Sequence, residues 1–243
     1  MGYSLESLED FFVGLEEPKF RAKQIFKWIH QKGVLNFDLM TDFNKTLREK
    51  LKSVAIIEPP RIHEEFISSE GTTKYLIELS SGSMIEMVVI PEKNRRTLCV
   101  SSQAGCALQC TFCATGAQGF EQNLDSNEII GQLWLANFSN EGDPITNVVF
   151  MGMGEPLLNY DAVIESAKIM KDQLAYGLSR KRITISTSGI VPNINKLSNE
   201  IDVSLAISLH AADDKLRDEI VPINNKYPIK SLITACKDSL ANF

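Results

Sequence analysis

Cys106, Cys110 and Cys113 place three thiols within eight residues, in the spacing C-x3-C-x2-C. Thiols so crowded, in a chain with no disulfide pattern, suit a metal or an iron–sulfur cluster. A cubane cluster takes four protein ligands, and this segment supplies three. An iron without a cysteine can bind a substrate or cofactor group. Other residues able to do chemistry follow. Gly152-Met153-Gly154-Glu155-Pro156 sets a carboxylate after two glycines, whose bare backbone lets a ligand approach closely. Its carbonyls or the Glu155 carboxylate would accept from an ammonium group. Ser186 and Ser208 offer hydroxyls to ribose or carboxylate oxygens. His210 offers a hydrogen-bond partner, a base or a ligand.

These residues need elements that bring them together. From about residue 97 the pattern alternates strand and helix. Thr97–Ser101 reads as a strand running into the cysteine loop, and a helix at 125–139 is capped by Asp125 or Ser126 with Glu128 in its first turn. Strands at 147–151, 182–186 and 203–209 are each followed by a helical stretch, and a last helix runs from Pro228 to Phe243. Four βα units imply a parallel sheet, open or closed into a barrel. Right-handed crossovers put every strand C-terminus on one edge, where ligands bind in such folds. The cysteine loop, Gly152–Pro156, Ser186–Gly189 and Ser208–His210 all fall on that edge.

Upstream, residues 4–14, 18–32 and 38–52 read as helices, with Phe20, Ile25, Phe26 and Ile29 of the second facing inward. Strands near 61–69, 73–80 and 83–90 are joined at Glu70-Gly71 and Ser81-Gly82, and Pro91 is expected to end the third. Met84, Glu86, Val88 and Ile90 share one face of that strand. If the face is covered, desolvation raises the Glu86 pKa and makes it a better base; strand position alone reads as surface.

The 243 residues carry a net charge of −6 and are 44% hydrophobic, which argues against disorder. No apolar run reaches the roughly 18 residues needed to span a bilayer, and the N-terminus lacks a signal-peptide core. The chain is expected in the cytoplasm. An acidic total weighs against nucleic-acid binding, yet Lys19, Arg21, Lys23, Lys27 and Lys32 lie in a stretch without an acid. Lys19, Lys23 and Lys27 recur every fourth residue; spacing alone reads as a solvated helix face.

Phe112, just before the last cysteine of C-x3-C-x2-C, completes a pattern that resembles the radical S-adenosylmethionine (SAM) enzymes. Thr97–Gln103, the cysteine loop, Gly116–Phe120, Gly152–Asn159 and Ser204–Ala211 together resemble the RlmN/Cfr group of RNA methyltransferases. The resemblance implies an α/β fold. It would be a radical SAM partial (βα) barrel, cut off after about four βα units. The expected divisions are an N-terminal helical RNA-binding domain at 1–58, a β-hairpin connector at 59–92 and the radical SAM core at 93–243.

It also implies methylation of carbon 2 of an adenine in 23S rRNA and tRNA, with SAM as both radical source and methyl donor. Cys106, Cys110 and Cys113 would hold a [4Fe-4S] cluster. Gly154, Glu155, Ser186, Ser208, Leu209 and His210 would surround SAM. Glu86 would accept the substrate proton, and Cys99 would resolve a protein–RNA adduct by forming a disulfide. The expected partners are 23S rRNA, tRNA and an electron donor such as flavodoxin, for a monomer away from membranes. The group carries the methyl on a further cysteine near its C-terminus. Cys236 lies inside a predicted helix and reads as a small core residue, so the sequence reads as a fragment of a longer protein. The alternatives are methylation at adenine carbon 8, a non-catalytic iron–sulfur protein that binds RNA or senses redox state, and a zinc site on the three cysteines plus His210.

Overall fold

The computed structural model describes residues 1–139 and 142–241. Three helices open the chain: α1 (Leu5–Gly14), α2 (Phe20–His30) and α3 (Lys45–Val54). The helix expected over 38–52 is broken in two. Asn36 caps a short 3-10 turn at Phe37–Leu39, and the Asn44 carboxamide accepts from the Leu47 N–H at 2.8 Å to start α3 afresh. Ile25, Phe26 and Ile29 are buried as expected, but Phe20 is 52% exposed. It stands five residues before Ile25, about 140° around the helix, on the side of Lys23 and Lys27.

The strands β1 (Arg61–Ile67), β2 (Thr73–Glu78) and β3 (Met84–Glu92) form an antiparallel meander through the two expected turns. Pro91 does not end β3: it pairs with Arg96 inside the ladder, near the strand's end. β3 pairs antiparallel with β4 (Arg95–Cys99), so the meander and the core share a sheet. Parallel strands β7 (Asn147–Phe150), β8 (Ile183–Thr187) and β9 (Ser204–Ile207) complete the order β1-β2-β3-β4-β7-β8-β9. The helices between and after them are α5 (Ser126–Phe138), α6 (Tyr160–Lys171), α7 (Val191–Glu200), α8 (Asp214–Ile220) and α9 (Ile229–Ala241). The expected end of α9 at Phe243 lies outside the described residues.

Two short strands were not expected from the sequence. β5 (Gln103–Gly105) and β6 (Phe120–Asn123) pair antiparallel, with helix α4 (Ala114–Gln118) between them. They close the cysteine segment into a loop of fixed base.

Alternation divides the sheet. Leu98, Val148, Phe150, Ile183 and Ile185 are buried in one hydrophobic core with Ile129, Leu133, Val163 and Ile194 of α5, α6 and α7. Cys99, Val149, Thr184 and Ser186 point to the other, half-open face. α5 begins with the expected cap: Asp125 accepts from the Glu128 N–H at 2.7 Å while Glu128 accepts from the Asp125 N–H at 3.0 Å. The N-terminal helices dock directly on the core. Glu165 of α6 accepts from the Ser4 N–H and the Ser7 hydroxyl, both at 2.7 Å, and the Trp134 indole donates to the Ile29 carbonyl at 3.1 Å. Among the described residues no helix is long and apolar enough to cross a membrane.

Candidate functional site

The cysteine loop leaves the sheet through Gly105, whose φ is +70°. A side chain there would meet the Gly119 carbonyl oxygen at 1.8 Å, so the crossing of the loop's two arms requires glycine. The Cys106 N–H then donates to that same carbonyl at 2.9 Å. Thr111 N–H donates to the Ile220 carbonyl of α8 at 3.1 Å, fixing the far side of the loop.

Gly152–Pro156 lies beside it. The two glycines are explained by the chain itself, not only by a ligand's approach. A Cβ at Gly152 would meet the Val100 carbonyl, and one at Gly154, with φ +98°, would meet the Gln103 side chain at 2.5 Å. The Gln103 carboxamide oxygen accepts from the Glu155 N–H at 2.9 Å. Glu155 is 3% exposed. Its oxygens accept from the Leu157 N–H at 3.1 Å and the Ser188 N–H at 2.8 Å. Burial pushes its pKa up, against those hydrogen bonds. The carboxylate thus ties the Gly152–Pro156 loop to the Ser186–Gly189 loop.

Ser186 and Ser208 stand side by side, hydroxyl to hydroxyl at 3.4 Å. His210 has a left-handed backbone, φ +62°, and its ring lies against Phe112 with centroids 4.4 Å apart. The carbonyl of Leu209 accepts from Arg217 at 2.9 Å. The four strand-end segments are therefore linked by direct contacts.

All five cysteines are free thiols. Burial raises the pKa of both Cys106 and Cys110; Cys110 also feels Cys106, Cys113 and Glu155, while Cys106 feels Glu155 and Cys113. Thiols that destabilise one another's ionised form suit a group that brings positive charge, because a coordinated thiol gives up its proton. Among the described residues no three Cys, His, Asp or Glu side chains converge as a single ion would require. Three thiols on one loop, one short of the four protein ligands of a cubane, make a donor set that suits iron–sulfur.

Glu86 and Cys99 lie elsewhere, on the half-open sheet face, where Val88 pairs with Cys99. The Glu86 side chain is 45% exposed and meets the Lys74 ammonium at 2.9 Å. Burial pushes the Cys99 thiol up to about 11. Cys236 sits in α9, packed against the core. On α2, Lys23 and Lys27 are exposed, whereas Lys19 is 3.4 Å from Glu9.

Four buried polar residues escaped the sequence reading. Gln132 exchanges hydrogen bonds with the Ser101 backbone at 2.8 and 2.9 Å. Asn159 donates to the Ser102 and Leu124 carbonyls at 2.8 and 2.6 Å. Gln103 and Arg217 complete the set. Each holds a loop through backbone atoms, which leaves no periodic signal in a single sequence. A cavity of about 1050 Å³ lies between the N-terminal helices and the start of α5, lined by Ile25, Ile29, Phe37, Pro60 and Asp125; no cysteine-rim residue lines it.

Comparison with known proteins agrees with this geometry. Residues 1–57 match the family described as ribosomal RNA large subunit methyltransferase N-terminal domain, and residues 100–241 match the radical SAM superfamily. The dual-specificity RNA methyltransferase RlmN of Pseudomonas putida (strain W619) is 55% identical over 99% of this chain and 65% of its own length. That of Alcanivorax borkumensis is 53% identical over 98% and 64%. A crystal structure of a radical SAM methyltransferase from Sphaerobacter thermophilus superposes with a TM-score of 0.90 at 39% identity, covering 98% of this chain and 71% of that one. The chain thus spans about 65% of the length of the curated relatives it matches.

Proposed function

We propose that this chain, which belongs to the radical SAM superfamily and within it to the RlmN group, is the SAM-cleaving part of an RNA methyltransferase acting on carbon 2 of adenine in 23S rRNA and tRNA. The observation that carries the reading is the rim itself. The three-cysteine loop, the Glu155 loop, Ser186 and Ser208–His210 occupy one sheet edge and are bonded to one another.

The family's cofactors are a [4Fe-4S] cluster and SAM; when bound, they supply the one-electron chemistry that an electrophilic amidine carbon needs. In this reading Cys106, Cys110 and Cys113 hold the cluster. The Gly154–Glu155 backbone faces the SAM amino group, and the buried carboxylate favours that positive charge. Ser186 and Ser208 accept or donate to the ribose and carboxylate oxygens, with Leu209 and His210 flanking them. Phe112 and the His210 ring, packed at a 50° tilt, stand at the mouth. On the open face, Glu86 takes the proton from the methylated carbon. Cys99 attacks the sulfur of a carrier cysteine, forming a disulfide as the bond from that sulfur to the transferred carbon breaks and its electron pair passes to the adenine; the carrier is expected in the portion of the relatives' length beyond this chain. The high thiol pKa means that Cys99 needs a base to attack as thiolate.

The N-terminal domain, residues 1–58, and the connector, residues 59–92, then hold the RNA, with Lys23 and Lys27 on phosphates. Reversing both charges is expected to weaken RNA binding and flatten its salt dependence by about one to two in log–log slope. An electron donor such as flavodoxin, a monomeric state and a cytoplasmic setting belong to the same reading.

The test is anaerobic reconstitution with iron and sulfide, reduction in the presence of SAM, and chromatography for 5′-deoxyadenosine. Formation of this product is expected, and its loss is expected when any of the three cysteines is replaced by serine. A reconstituted cluster that leaves SAM intact would favour a non-catalytic iron–sulfur protein. Mass spectrometry of RNA treated with the full-length protein separates a carbon 2 from a carbon 8 product.

A further inference from the structure

Arg217 is completely buried, the largest such side chain described. Its guanidinium meets carbonyls and an amide. Nε donates to the Leu209 carbonyl at 2.9 Å, and Nη1 to the Asn224 carboxamide oxygen at 2.6 Å. Nη2 donates to the carbonyls of Ser188 at 2.6 Å and Ser208 at 3.3 Å. The balancing charges stand one residue away: the Asn224 amide donates to Asp214 at 2.9 Å and to Asp218 at 2.6 Å. Burying a cation against neutral oxygens is costly, and well-packed apolar residues would often fill such a space with no loss of stability. The placement therefore asks for a reason beyond packing.

Its partners supply one. Ser188 and Ser208 belong to two different strand-end loops. The N–H of Ser188 binds Glu155, and its hydroxyl lies against the Cys110 thiol. The last residue of the same helix, Ile220, accepts from Thr111 in the cysteine loop. One guanidinium and one short helix thus reach three segments of the rim directly and the fourth, at Glu155, through Ser188. Cys110 is also among the groups whose negative form favours the Arg217 cation.

We propose that Arg217 is a positioning residue for SAM, fixing the separation of the Ser186–Gly189 and Ser208–His210 loops and setting a buried positive charge on the Cys110 side of the cysteine loop. The planar fork matters for the first role, since it reaches three carbonyls at once in fixed directions. The charge matters for the second, because a nearby cation favours the more negative, reduced state of whatever the thiolates hold.

The test compares wild type, Arg217→Met and Arg217→Lys after anaerobic reconstitution. It reads SAM affinity by equilibrium dialysis, cluster midpoint potential by redox titration under electron paramagnetic resonance, and thermal midpoint. Arg217→Met is expected to weaken SAM binding about tenfold or more and to move the potential to more negative values. Arg217→Lys keeps the charge without the fork, so the potential is expected to return to that of wild type while SAM binding stays weak. A folded Arg217→Met protein with unchanged affinity and potential overturns the proposal. If that variant does not fold, Arg217→Lys decides: wild-type affinity overturns it, and weakened affinity at an unchanged potential supports it. The inference rests on the reading that these loops hold SAM. A wild-type protein that binds no SAM sinks that reading, whereas wild-type binding with unaffected variants sinks only the role of Arg217.

Discussion

The strand-end rim and the half-open sheet face each carry a carboxylate beside a cysteine, built by opposite rules. At the rim Glu155 is 3% exposed, and its oxygens accept from the backbone of two loops. On the sheet face the Glu86 side chain is 45% exposed and is held by one lysine. A carboxylate bonded to buried N–H groups cannot turn without leaving them unpaired, so Glu155 acts as a fixed charge and a loop clamp. A carboxylate bonded to a flexible ammonium can change partners, which suits the proton acceptor proposed for Glu86. The rim is finished by this chain's own atoms, whereas the chemistry of the sheet face depends on what covers it.

The largest effect that tests this contrast is Glu155→Ala. It strips the buried Leu157 and half-buried Ser188 N–H groups of their acceptor and parts two loops. A loss of about 3 kcal/mol in unfolding free energy is expected, from one to three per orphaned group. Denaturant titration of the cluster-free protein measures it. A loss under about 1 kcal/mol would mean that the rim is no more preorganised than the sheet face.

The second effect is smaller and depends on pH. The folded Cys99 thiol is pushed up to about 11 from an ordinary 9.0, mainly by burial. Between those values the unfolded chain has lost the proton and the folded chain has kept it. The stabilisation is therefore fully present below about pH 9 and is lost as pH rises toward 11, by on the order of 2 kcal/mol. Unfolding titrations of wild type and Cys99→Ala at pH 8 and pH 10.5 read the difference, and wild type is expected to lose more. Equal losses would place Cys99 in a wetter setting than its burial indicates.

The sequence was legible where one residue type answers to one local rule. The Asp125–Glu128 capping box, the two hairpin turns and the alternation along β3 each follow from a few neighbouring residues, and each is present. The gathering of the four loops follows from crossover handedness, which needs only the order of strands. Long-range polar contacts were not legible. Arg217 has the composition of an ordinary surface helix residue, between Asp214 and Asp218, and only the fold turns it inward. Phe20 departs in the opposite sense: its hydrophobicity suggests burial, but helical phase sets it beside Lys23 and Lys27. The β5–β6 pair was missed because three-residue strands carry too little alternation to register. Its one signal was Gly105, which precedes the cysteines and makes the crossing possible.

The smallest effect expected is at Lys74. The pair with Glu86 is half-exposed on both sides, so its Coulomb gain is screened and its ordering cost is real. Lys74→Ala is expected to change stability by no more than about 0.5 kcal/mol, and a double-mutant cycle with Glu86→Gln to give a coupling under about 1 kcal/mol that shrinks with added salt. A coupling above about 2 kcal/mol, insensitive to salt, would show a carboxylate already locked in place, and Glu86 would then resemble Glu155 after all. A weak pair is what proton transfer calls for. Lys74 makes one half-exposed contact with the carboxylate and has little hold on the side chain if a substrate displaces it. If Glu86 is the proton acceptor proposed above, the small stability effect is expected beside a large loss of methylation in full-length Glu86→Gln, about 100-fold or more, as two consequences of one arrangement.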